Sequence, residues 1–128
     1  MSLLKISGLE QYLHENMAWE RALDFILQEN AFLKTRLSKV VDSNTDKDFV
    51  DLAEYFQNSF IHNDEYVKDL KTDIVTLQRM LKDIIAGKKL DEIKLTQKHK
   101  KLRNEMGYFE KNFGRLLNEF NQYLSTHL

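Results

Sequence analysis

FVDLAEYFQNSFIHNDEYVKDLKTDIVTLQRMLKDI, residues 49–84, decides the fold. Within it Phe49, Ala53, Phe56, Phe60, Asn63, Val67, Leu70, Ile74, Leu77, Leu81 and Ile84 follow one another at alternating steps of four and three residues. An α-helix turns once every 3.6 residues, so this spacing gathers the side chains onto one stripe and leaves the charged residues between them facing outward. A half-buried strand would alternate apolar and polar residues strictly, and this stretch does not. The triplet His62-Asn63-Asp64 offers a stopping place, since Asn63 is able to cap a new helix, but the phase continues across it unchanged. One helix over residues 46–86 is therefore predicted, started by Thr45 with Asp48 in the first turn and ended by Gly87 beside Lys88 and Lys89.

The same pattern extends on either side. Ser7 and Glu10 have the spacing of a capping box, and Tyr12, Asn16, Trp19, Leu23, Ile26, Asn30, Leu33, Leu37 and Val40 continue at helical steps, which predicts a helix over 8–41. Asp91 is placed to cap a third helix over 92–126, whose seam is Leu95, His99, Leu102, Met106, Phe109, Phe113, Leu116, Phe120 and Tyr123. At 1.5 Å per residue the three come to about 50, 60 and 50 Å. Matched lengths and short connections predict an all-α fold: an up-down-up antiparallel three-helix bundle, coiled-coil-like in its packing, with residues 1–128 forming one domain.

Composition narrows the function. Hydrophobic residues make up 42% and charged residues 30%, and there is no proline, a profile of amphipathic helices rather than of a disordered chain. With 19 basic against 20 acidic residues there is no net field to hold a nucleic acid or an anionic membrane, so neither is expected as a partner. The absence of cysteine removes disulfides, thiolate zinc sites and a cysteine nucleophile. No uncharged apolar run approaches the roughly 18 residues of a membrane span, and the start lacks a basic stretch followed by an apolar one. A cytoplasmic location is expected.

The chain has a set of spaced landmarks: His14-Glu15 with Trp19, Phe56-Gln57-Asn58 with Phe60-Ile61, Asp69-Leu70-Lys71 with Asp73-Ile74, and Phe109-Glu110, Phe113 and Glu119-Phe120. In these the chain resembles a group of small uncharacterised bacterial helical proteins. The resemblance implies a helical bundle and carries no activity, ligand or site residue with it.

Catalytic and metal chemistry find little to work with. Di-iron bundles use Glu-x-x-His pairs, and no such pair exists here; His14 and His62 fall on outer faces, and His127 lies in the last turn. The serines sit at helix caps or on outer faces, without a base and an orienting group gathered around them, and there is no glycine-rich phosphate loop. Neither enzymatic activity nor a cofactor is expected. The run Lys88 to Arg103 holds Lys88, Lys89, Lys94, Lys98, Lys100, Lys101 and Arg103 against Asp91 and Glu92, without interleaved aromatics; pairing with Glu10, Glu15 and Glu20 of the first helix is expected to absorb it.

What remains is a non-enzymatic module that binds another protein or a second copy of itself as a homodimer; the alternative is a bundle holding a small ligand or a metal in its interior. Two features bear on the choice. Asn16 and His99 occupy seam positions at nearly equal height, about 40 Å from the first loop by the 1.5 Å rise, and a buried polar layer joining them to each other, to Tyr12 or to water is predicted. Phe25 and Phe32, seven residues apart, lie outside the main stripe, while Gly107 and Gly114 repeat the same spacing at matching heights. The rings are expected to pack over the glycines, within one chain in the preferred reading or between two chains otherwise. Tyr55, Ile61 and Val75 are further candidate partner contacts.

Overall fold

A computed structural model describes residues 6–44 and 46–127, with side chains from residue 8 onward apart from residue 45. Three helices account for nearly all of it: α1 Ile6–Asp42, α2 Lys47–Ile85 and α3 Glu92–His127. No strand occurs among the described residues. The middle helix is continuous through His62-Asn63-Asp64, as its unbroken apolar phase requires.

The helix ends follow local chemistry. Asp46 caps α2, accepting from the Asp48 N–H at 3.0 Å with extended backbone angles of −60° and 130°. The predicted Thr45 cap falls outside the described residues, as does the Ser7 side chain of the predicted capping box. At the other end Gly87 adopts a φ of 94°, and paired bonds close the turn, Lys88 N–H to Asp83 C=O and Gly87 N–H to Ile84 C=O, both 2.9 Å. This six-to-one and five-to-two pairing uses carbonyls that the ending helix would otherwise leave bare, and the positive φ is why glycine stands there. Asp91 accepts from the Lys94 N–H at 3.1 Å and starts α3.

Cross-links between helices fix the topology. Along α1 and α2, Asn30 meets Asp64, Asp24 meets Lys71, and Glu20 meets Gln78, so one number falls as the other rises and the two helices run antiparallel. Tyr66 meets Phe109 and Tyr55 meets Glu119, so α2 and α3 are antiparallel as well. The result is an up-down-up bundle with α2 in the middle. Both outer helices lie along α2, and they approach each other far less than either approaches it.

The core runs the length of the bundle, with most of its phenylalanines gathered toward one end. Phe49, Phe60 and Phe120 are fully buried, and with Phe56 and Tyr123 they form a continuous aromatic cluster in which Phe60 and Phe120 meet edge to face at 5.2 Å. The Tyr123 hydroxyl donates to the Phe49 carbonyl at 2.7 Å, so its buried oxygen is satisfied while its ring fills the core.

The expected seat of Phe25 and Phe32 over Gly107 and Gly114 is not found. The rings are 61% and 62% exposed, and a Cβ built on either glycine would meet nothing within 4 Å. Heights match along the helices, but both outer helices pack on α2 and leave the space between those faces open. The two glycines therefore cost helix propensity without any packing that offsets it. Gly107→Ala and Gly114→Ala should each stabilise the chain by about 0.5–1 kcal/mol, the measured penalty of glycine inside a helix. Urea unfolding of the two single variants and the double checks this; a loss of stability would mean that the open faces are occupied.

Candidate functional site

Three seam positions hold polar side chains that are wholly buried: Asn16, Asn30 and His99. A bare amide or imidazole in such a place costs about 1–3 kcal/mol, so its partners determine whether the fold tolerates it. Asn16 and His99 are brought together. The Asn16 Nδ2 group donates to the Tyr12 carbonyl at 2.8 Å and to His99 Nδ1 at 3.1 Å. Because a backbone carbonyl only accepts, the amide is oriented with its NH2 toward both, and His99 Nδ1 must be the unprotonated acceptor. The ring proton then sits on Nε2 and is donated to Glu15 Oε1 at 2.5 Å.

Around this bond the cluster is layered. The Tyr12 ring stacks on the imidazole at 3.7 Å with the planes 6° apart, and Trp19 lies at 5.0 Å. Glu15 continues outward to Arg103, one turn beyond His99 on α3, which gives it bonds from Nη2 at 2.8 Å and from Nε at 3.2 Å. The Arg103 guanidinium also stands 6.0 Å from the centre of the Tyr12 ring. Its bond to Glu15 holds that carboxyl below its ordinary range, outweighing the opposing effect of partial burial. Burial pushes the His99 imidazole below its ordinary 6.5, although Glu15 pulls the other way. The cluster thus joins α1 to α3 where their backbones otherwise stand apart.

A second polar site joins α1 to α2. Asn30 Nδ2 donates to the Phe60 carbonyl at 2.5 Å and to Asp64 Oδ1 at 2.7 Å, while Lys34 pairs with the other Asp64 oxygen. The triplet that looked like a helix break is therefore a fastening: Asp64 is polar because it holds Asn30 and Lys34. Sequence reasoning placed Asn30 on the seam without assigning it partners, although its position matches that of Asn16 two heptads earlier. The Oδ1 atoms of Asn16 and Asn30 are buried and accept no bond among the described residues.

The basic run is absorbed only in part as expected. Arg103 pairs with Glu15, but Lys88 pairs with Asp83 at 3.4 Å and Lys101 with Glu105 of its own helix at 3.9 Å, while Glu20 accepts from Gln78 of α2. Among the described residues no three His, Asp or Glu side chains gather as a metal ion would need. No described helix is long and apolar enough to cross a membrane.

The candidate surface residues are all exposed, but they do not form one patch. Phe25 and Phe32 stand on the flank of α1 that carries Glu15, about 100° round from Asp24, which faces α2. Tyr55 faces α3 through a 3.4 Å bond to Glu119. Val75 lines a shallow groove with Leu27, Lys68 and Arg79 on the α1–α2 side, and Ile61 stands on the same face of α2 two heptads earlier. The broadest apolar exposure on α1 is thus the phenylalanine pair alone, with the exposed Arg21 and Arg36 one turn before and after it.

No family model matches this chain, no curated protein matches it, and no solved structure matches it. The class that the fold defines is an all-α three-helix bundle with a buried polar layer.

Proposed function

We propose that this chain is a non-enzymatic interaction module of the cytoplasm, a helical rod with coiled-coil-like seams that offers α1 to another protein or to a second copy of itself. The observation that carries this reading is the exposure of Phe25 and Phe32, at 61% and 62%, in a chain whose other phenylalanines are all buried. Covering a large apolar side chain is worth about 1.5–3 kcal/mol, so seating both rings contributes about 3–6 kcal/mol toward association. Tyr55, Ile61 and Val75 would contribute only to a partner that wraps round to α2.

Phe25→Ser/Phe32→Ser and the unaltered chain, used side by side as baits against extract of the source cells, test this. A protein, or a second copy, retained by the unaltered chain and lost with equally helical variant protein is the expected result. Identical retention by both baits would overturn the reading. A second reading, a ligand held in the interior, draws support from the buried unpartnered oxygens of Asn16 and Asn30. Native mass spectrometry would show a reproducible added mass if it holds.

A further inference from the structure

Both ring nitrogens of His99 are satisfied in only one protonation state. Neutral His99 satisfies every contact it makes: Nδ1 accepts from Asn16, and Nε2–H donates to Glu15. A second proton has only Nδ1 to occupy, and there it points into the Asn16 NH2 group, two donors face to face. Turning the amide over would offer its oxygen to that proton, but the same oxygen would then oppose the Tyr12 carbonyl, the bond at 2.8 Å would be lost and the NH2 group would be left without it. Tyr12 and Trp19 stack on the ring and His99 is wholly buried, so a cation there has no access to bulk water. The charges acting on the ring are Glu15 from α1, which favours protonation, and Arg103 from α3, which opposes it; the Tyr12 phenol is stacked rather than bonded, and no ionisable side chain of α2 bonds to it among the described residues.

We propose that the cluster of Tyr12, Glu15, Asn16, Trp19, His99 and Arg103 is an acid-released latch, which holds the first half of α3 against α1 while His99 is neutral and lets it go when His99 is protonated. The location makes the release local. The cluster sits near the start of α1 and of α3, whereas the aromatic cluster and the Tyr123–Phe49 bond fasten the opposite end of α3 to α2. Between them α1 and α3 share little direct contact. The sign follows from linkage. The imidazole in place binds its proton less readily than a free one, so the latch is fully closed above about pH 6.5 and loses hold as pH falls below it, by at most tenfold per pH unit.

Trp19 is the only tryptophan of the chain and lies against the ring, so the intact protein carries its own reporter. Reversible titration from pH 8 to 5, following Trp19 emission, the imidazole C–H resonances and amide exchange in parallel, tests the latch. One imidazole should titrate together with a red shift of Trp19. Once corrected for intrinsic rates, exchange over residues 95–106 should be faster at pH 5 than at pH 8, while over 113–124 it should change less than about twofold. In His99→Gln, which cannot take up the proton, the Trp19 transition should disappear from this range. A His99 resonance that titrates with no change in exchange over 95–106 overturns the latch, as does an unaltered Trp19 transition in His99→Gln. Should that variant fail to fold, the wild-type resonances and exchange decide the matter alone.

Discussion

Phe120→Ala should lower the unfolding free energy by about 3–5 kcal/mol, the range for removing a fully buried phenylalanine and leaving its space unfilled. The ring touches more than one neighbour in a way that no relaxation recovers: Phe60 at 5.2 Å and Phe56 at 5.3 Å, both met edge on, and Tyr123 at 6.2 Å. Each such aromatic pair adds about 0.5–1.5 kcal/mol beyond its buried area. Against a net stability of about 5–15 kcal/mol for a domain of this kind, the loss is about a fifth or more of the whole. Tyr108→Ala on the same helix is the control, since that ring is 69% exposed and its removal should stay within about 0.5 kcal/mol. Urea midpoints of the two variants compared with wild type give the answer.

The second large effect is one of coupling. Asn16→Leu removes the donor to His99 Nδ1 and leaves a buried acceptor bare; His99→Leu removes the ring on which Tyr12 and Trp19 stack. Each alone should cost about 1–3 kcal/mol. The double variant should cost clearly less than the two together, because it removes both polar groups, including the unpartnered Asn16 oxygen, and leaves leucine in their place. A coupling of about 1–2 kcal/mol measured by a double-mutant cycle is expected. Strict additivity would show that the two residues act separately despite the 3.1 Å between them.

The two residues of that cycle were legible before any coordinates, and the reason is geometric. A helix advances by a fixed 1.5 Å per residue, so Asn16 and His99 fall at one height once three helices are folded up, down and up. Helix ends were legible for a related reason: Asp91 and Gly87 act on backbone groups within a few residues of themselves. The same arithmetic matched Phe25 and Phe32 to Gly107 and Gly114 in height, yet height says nothing of the gap between two helices. That gap depends on how α1 and α3 each settle on α2, through every core side chain together, and it stays open beside the rings. Arg103 escaped notice as a partner for Glu15 in particular because surface charges pair by reach and rotamer rather than by period. Asp64 was not legible as the partner of Asn30, because a polar triplet reads alike whether it ends a helix or fastens one.

The surplus of Phe25 and Phe32 to the folding of the chain is the point on which the proposed function turns. Urea unfolding of Phe25→Ser/Phe32→Ser beside wild type, at a concentration where both are monomeric, measures it directly. Rings that stand in water for a partner should be removed at a cost within about 0.5 kcal/mol, as for other exposed positions. A loss of about 3 kcal/mol or more would show that the rings belong to the core after all, and would contradict a surface kept for binding.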